Sequence, residues 1–333
     1  MRRKIYQELL QWKQRSGESA LLVQGARRVG KSYIVEAFAK AEYKSYILID
    51  FNLVDQPVKE MFEHDLVDLK TFFMKLTTYY GVKLYERESL IIFDEVQLFP
   101  RARSAIKYLV ADGRYDYIET GSLISIRENV KDILIPSEED HVDMYPLDFE
   151  EFLWANGNDT MMDFIRDCYR KKAPLGQALH RKAMDLFRQY LIVGGMPQAV
   201  NAFVKHNDFD EVDRVKRRIL NLYRDDIRKH AKGYEMKVEA IYDEIPSQMK
   251  NQNQHFKLSS LKQGARFDEY KDAMFWLSDA MIVNHCYNAT EPTFGLNLNR
   301  DRTLLKCYMG DTGLLISHAF DENGIVTGEV YKK

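Results

Sequence analysis

An α/β fold with a parallel sheet, continued by a helical segment and then by helices with a β-hairpin, is what this sequence predicts. Three observations carry that expectation. In the first half, short apolar runs alternate with longer helical patterns. A glycine-rich segment joins the first apolar run to a helix. After Trp154-Ala-Asn-Gly-Asn158 the apolar runs stop and helical periodicity takes over.

The opening stretch, Met1 to Gly17, has apolar positions broken by Lys, Gln and Glu, so it reads as an amphipathic helix and lacks the continuous apolar region of a secretory signal. Five runs follow as expected strands: Ala20–Val23, Tyr46–Ile49, Leu90–Phe93, Tyr115–Ile118 and Val142–Leu147. None has the polar alternation of a half-exposed strand, and strands alternating with helices imply a parallel sheet covered on both faces. This places a core domain at 1–157. Residues 158–233 read as a helical lid, broken at Val193-Gly-Gly-Met-Pro197. From 234 to 333 two or three helices precede strands at Met281–Tyr287 and Leu304–Met309, the order of a winged-helix-like module.

The 333 residues suffice for two or three domains. The formal charge is −2, so no overall field draws the chain to nucleic acid or to an anionic membrane. With 45% hydrophobic and 12% aromatic residues, intrinsic disorder is excluded as the main state. Cys168, Cys286 and Cys307 lie far apart with no CxxC pair, which argues against a disulfide framework or a structural zinc site and fits a cytoplasmic compartment. No run reaches the roughly 18 apolar residues of a membrane span.

The sharpest signal is Gly25-Ala26-Arg27-Arg28-Val29-Gly30-Lys31-Ser32, which matches G-x-x-x-x-G-K-[ST] directly after the first strand and before the helix that starts at Tyr33. Glycines let backbone N–H groups turn inward around phosphates, and the helix N-terminus adds partial positive charge. In that pattern Lys31 reaches the β- and γ-phosphates and Ser32 ligates Mg²⁺. The second signal is Leu90-Ile-Ile-Phe-Asp94-Glu95. Asp94 at the strand tip is placed to hold the Mg²⁺ shell, and Glu95 to polarise a water for attack on the γ-phosphate. Thr120-Gly-Ser122 ends the next run; a strand inserted between the acidic strand and the loop strand would let Thr120 or Ser122 sense the γ-phosphate. Gln97 either orients water or opens the loop before Pro100.

These residues resemble the AAA-type P-loop ATPases of bacteria and archaea in which the ATPase core precedes a winged helix and a nuclease-like domain. The matching stretches are Gly25 to Ser32, Ile92-Phe-Asp-Glu-Val-Gln97, Glu119-Thr-Gly-Ser122, Tyr145-Pro-Leu-Asp-Phe-Glu-Glu-Phe152, Val193-Gly-Gly-Met-Pro197 and Met309-Gly-Asp-Thr-Gly-Leu314. The resemblance implies a Glu-catalysed core and gives the lid turn a place against adenine, carried here onto Gly195 and Pro197. Two departures stand out. The sequence stops at Tyr331-Lys-Lys333, so the expectation is either a chain cut before the nuclease-like domain or a shortened member of the group. The turn continues as Gln198-Ala-Val without the arginine many such ATPases place there, which leaves a sensor arginine unassigned.

Residues 214–232 are rich in arginine and lysine: a neighbouring subunit's ATP or a phosphate backbone is one reading. The stronger reading is a solvated face, because Val212, Val215, Ile219, Leu222 and Ile227 follow helical spacing. In the helix from Phe267 to Met281, the apolar stripe packs inward and leaves Asp268, Glu269, Asp272 and Asp279 against Lys271. That sign is wrong for a duplex-facing helix and favours a protein partner or a homo-oligomer over DNA. The function expected is ATP hydrolysis with Mg²⁺, driving a conformational change. The alternatives are a nucleotide-dependent switch with negligible turnover and, less favoured, a P-loop kinase acting on a small acceptor.

Overall fold

The computed structural model describes residues 1–15, 17–121, 137–251, 255–291 and 293–320. The chain divides into two compact units, one of Arg3–Met144 and one of Tyr145 onward with Met1–Arg2.

In the first unit α1 (Ile5–Gln14) precedes β1 (Ala20–Gln24), α2 (Lys31–Glu42), β2 (Ser45–Asp50), α3 (Gln56–His64), α4 (Leu69–Tyr80), β3 (Ser89–Asp94), α5 (Pro100–Asp112), β4 (Asp116–Gly121) and β5 (Glu139–Asp143). The strands form one parallel sheet in the order β2-β3-β4-β1-β5. β4 therefore lies between the acidic strand and the loop strand, as the reading of Thr120 requires. β3 and β4 are buried along their whole length, which is why their sequences do not alternate. On one face Ile91, Phe93 and Tyr117 meet Phe62, Phe72, Phe73 and Ile106 from α3, α4 and α5. The rings of Phe51, Phe62, Phe72 and Phe93 stand edge to face, the arrangement the aromatic quadrupole favours. Period-two alternation sends Leu90 and Ile92 to the opposite face, where both are buried. Tyr6 of α1 and Tyr43 beside α2 close on Phe38.

One strand departs from expectation. The fifth runs over Glu139–Asp143 and ends before Met144 and Leu147, whereas the sequence pointed to Val142–Leu147. Among the described residues it is an edge strand bonded to β1 alone, so it needs no continuous apolar run, and polar edge residues discourage pairing with another chain.

The second unit comprises α6 (Phe149–Ala155), α7 (Met161–Lys171), α8 (Gln177–Val193), α9 (Pro197–His206), α10 (Phe209–His230), α11 (Glu235–Lys250), α12 (Phe267–Asp279), an antiparallel hairpin of β6 (Val283–Ala289) and β7 (Arg300–Met309), and α13 (Thr312–Ala319). α6 opens with a capping box, in which Asp148 accepts from Glu151 N at 2.9 Å and Glu151 accepts from Asp148 N at 3.1 Å. In α12 Tyr270, Met274 and Leu277 are buried, as their spacing indicates.

The basic helix α10 corrects its expectation at one residue. Lys216 is not on a solvated face: it is fully buried, and its Nζ donates to the Ile192 carbonyl at 2.7 Å. The buried stripe runs through Val212, Lys216, Ile219, Leu220, Tyr223 and Ile227, with the lysine spanning to the open C-terminal end of α8. Helix C-termini present unpaired carbonyls and negative partial charge, which an ammonium satisfies.

Three sequence-distant segments meet in this unit. Leu147 N donates to Gly195 O at 2.7 Å, Tyr190 OH donates to Leu147 O at 3.0 Å, and Gly195 N donates to the Asp311 carboxylate at 2.5 Å. Asp311 also caps α13 by accepting from Leu314 N at 2.8 Å. The glycines are steric necessities. A Cβ on Gly195 would lie 2.0 Å from Leu147 O, and Gly194, at φ +79°, has the Asp311 carboxylate 2.3 Å from where its Cβ would stand.

Candidate nucleotide site

The first unit assembles its polar residues at the C-terminal ends of β1, β3 and β4. Leaving β1, the chain turns through Gly25 to Gly30 into α2. Gly30 sits at φ 96° and Arg28 at φ 74°, so the turn uses left-handed backbone at two points. Gly25 is fixed by close approach: a Cβ there would meet the Met144 carbonyl at 2.3 Å. Ala26 and Val29 are buried, Arg27 and Arg28 exposed. Arg3 donates to Val29 O at 3.1 Å and braces the loop from below. α2 has neither a side-chain N-cap nor an acidic residue in its first turn, so its leading N–H groups carry no internal anion.

Lys31 is only 7% exposed and donates to the carbonyls of Gly25 at 2.9 Å and Ala26 at 3.1 Å. Burial lowers its pKa, and the charges of Glu95 and Asp94 oppose that shift, so two carboxylates face the ammonium. Ser32 Oγ donates to Asp94 Oδ1 at 2.7 Å, and Thr120 Oγ1 bonds to the same carboxylate oxygen. Thr120 Oγ1 in turn accepts from Glu95 N at 3.3 Å. Glu95 has a left-handed backbone, φ 55°, where a β-strand breaks into a short 3₁₀ turn at Val96–Leu98. Its Oε2 accepts from Gln97 Nε2 at 2.5 Å.

Lys31 and Ser32 of α2, Asp94 at the end of β3, Glu95 directly after it and Thr120 of β4 thus come together. Tyr33 follows Ser32 on α2 and is 64% exposed. Pro197 belongs to the second unit, where it is the first residue of α9, and with Gly195 it is built into that unit's own packing. Ser122 lies outside the described residues.

Residues 17–153 match the family described as "AAA domain". Residues 184–323 match a second family, described as a domain of unknown function (DUF8612). Among solved structures, the Walker-type ATPase PABY2304 of Pyrococcus abyssi aligns over 96% of this chain and 96% of its own, at 13% identity and a TM-score of 0.54. AMPPCP-bound DnaA from Aquifex aeolicus aligns over 84% and 89% at 12% identity, with a TM-score of 0.35. The first of these speaks for the fold alone. Comparison with curated proteins returned no match. No helix among the described residues is long and apolar enough to cross a membrane.

Below the loop-facing end of the first unit's sheet lies a cluster of which the motif stretches contain only Glu119. Glu119 of β4 is fully buried, and the nearest guanidinium nitrogen of Arg103 is 3.8 Å away. Arg103 itself forks onto Glu139 at 2.8 and 3.2 Å, and His141 lies 3.0 Å from the same carboxylate. Burial, and then the charge of Glu139, push the Glu119 pKa well above its usual value, so burial favours the neutral acid here. A carboxylate inside the otherwise apolar Tyr117-Ile-Glu119 was the one sequence signal for it, since buried acids need partners.

Proposed function

We propose that the AAA domain binds and hydrolyses ATP with Mg²⁺, giving ADP and phosphate. The observation that carries this reading is the convergence at the C-terminal ends of the sheet's inner strands of Lys31, the Ser32–Asp94 pair and Glu95. Residues Gly25 to Tyr33 would hold the phosphates, with the loop amides and the start of α2 as donors and Lys31 exchanging its bonds to Gly25 O and Ala26 O for phosphate oxygens. The Ser32 hydroxyl and Asp94 carboxylate, 2.7 Å apart, are an oxygen pair suited to a hard divalent cation. When bound, Mg²⁺ neutralises phosphate charge. Glu95 accepts the proton of a water that attacks the γ-phosphorus, the bond to the bridging oxygen breaks, and ADP leaves with that electron pair. Thr120, which bridges Asp94 and Glu95 N, and Ser122 take the γ-phosphate-sensing role.

Turnover is taken to change the angle of the lid, where Pro197 is assigned to the adenine side, and to act on a protein partner or another copy of the chain. A DNA partner is disfavoured because the exposed face of α12 is acidic. The three cysteines are unpaired, Cys168 and Cys307 being buried, which supports a reducing, cytoplasmic setting. The winged-helix-like reading of the C-terminal helices and hairpin rests on their order.

Glu95→Gln tests the mechanism. It is expected to keep Mg-ATP binding and to lose about 10²- to 10⁴-fold in turnover. Hydrolysis at the wild-type rate overturns the assignment, and negligible wild-type turnover together with a nucleotide-dependent change in solution scattering favours the switch.

A further inference from the structure

We propose that Gln97 is a positioning residue for the hydrolytic step: its side-chain amide fixes the carboxylate of Glu95. This rests on the reading of Glu95 as the base.

Two residues along from Glu95, the 3₁₀ turn Val96–Leu98 carries Gln97 back under the carboxylate, and Nε2 donates to Glu95 Oε2 at 2.5 Å. The turn is held by Leu98 N donating to Glu95 O at 3.0 Å and Phe99 N donating to Val96 O at 3.1 Å. Gln97 is buried, so the amide has little freedom to swing into solvent. On the backbone side, Glu95 N is tied to Thr120. Glu95 is therefore gripped at its main chain by β4 and at one carboxylate oxygen by Gln97, and its charge is felt by Lys31 of the phosphate loop.

A base acts through one oxygen. Holding the other with a neutral donor sets the direction of the active one without adding or removing charge. A cation in that place would draw Glu95 into an ion pair, and a hydroxyl at this position would be too short to reach. The amide at i+2, placed by the left-handed backbone of Glu95, meets both demands.

The test uses the full chain with Mg-ATP under single-turnover conditions, together with ADP affinity. Gln97→Met, which keeps length and burial, is expected to lower the hydrolysis rate about 10- to 100-fold with ADP affinity unchanged, the size of effect a misaligned group produces. Gln97→Glu, which sets a like charge on Glu95, is expected to lower it at least as far. In a Glu95→Gln background Gln97→Met is expected to add nothing, because the amide then has no base to orient. Full activity of Gln97→Met beside an inactive Glu95→Gln overturns this proposal alone. Full activity of Glu95→Gln overturns the base assignment and this proposal with it. Loss of ADP affinity in both Gln97 variants shows a structural contact and overturns it as well.

Discussion

Replacing Lys31 by Met separates what that lysine does for the fold from what it does for a nucleotide. In the folded chain its ammonium makes two bonds to loop carbonyls, at 2.9 and 3.1 Å. Bonds from a charged donor contribute about 1.5–3 kcal/mol each. Against them stands the cost of burying an ammonium, several kcal/mol before the compensation that Asp94 and Glu95 supply. The two nearly cancel, so Lys31→Met is expected to unfold within about 2 kcal/mol of wild type when no nucleotide is present. With Mg-ATP or Mg-ADP the outcome diverges. A ligand at 100 times its Kd stabilises the folded state by about 2.7 kcal/mol. For a unit of this size that is roughly 5–10 °C in Tm. Thermal unfolding followed by fluorescence should show this rise for wild type and none for Lys31→Met. An equal nucleotide-induced shift in the two proteins refutes the placement of the phosphates at this loop.

Three further outcomes are expected. Gly195→Ala drives a methyl into the Leu147 carbonyl 2.0 Å away, so it should cost about 3 kcal/mol or more in urea unfolding, and a loss under 1 kcal/mol would show the turn to be adaptable. Glu119 has a folded pKa above its unfolded value of about 4.3; its stability contribution is present below that value and declines as pH rises toward the folded pKa, by at most about 1.4 kcal/mol per pH unit. Glu119→Gln removes the titration, so its stability relative to wild type should be higher at pH 8 than at pH 5, and an unchanged difference refutes the raised pKa. Burial lowers Lys216 from 10.5 to about 8, so the folded state binds fewer protons than the unfolded state between those values. Wild-type stability relative to Lys216→Met should rise by about 3 kcal/mol from pH 8 to 10.5 and be lost as pH falls back through 8; a flat difference refutes the buried charge.

The sheet and its glycine-rich loop were legible because the sequence pattern there is local. Gly25 to Ser32 is contiguous, and the apolar runs of β1, β3 and β4 end in the residues that matter, so spacing alone set Asp94 beside Ser32. β5 was misplaced because an edge strand is stabilised from one side and by Arg103 on Glu139, a pairing 36 residues apart that no periodicity encodes. Lys216 was misread for the same reason: helical spacing tells which face is shared, and only the fold reveals that the end of α8 lies under that face. Gln97 was left between two readings because its partner is two residues away, yet the contact depends on the left-handed backbone at Glu95.

The second unit shows why short glycine motifs can be read long before their meaning is clear. Gly194-Gly195 and Gly310-Asp311-Thr312-Gly313 look like separate turns, each explicable by local backbone freedom. Their geometry makes them one joint. Asp311 accepts from Gly195 N, and Gly313 leaves only 2.3 Å between its would-be Cβ and Val193 O. Burial raises the Asp311 pKa, while the N–H groups of Gly195, Leu314 and Gly313 and the nearby charge of Lys216 pull it back. A carboxylate held by amides at the start of α13, a lysine at the end of α8 and glycines that bring the two helices into contact are interdependent, since each satisfies a buried group the others expose. Such a joint fixes the entry angle of α9, and with it the position of Pro197, more firmly than a helix-ending turn alone. The constraint on those glycines therefore comes from the packing of α8, α9 and α13, and it acts whether or not a nucleotide is bound.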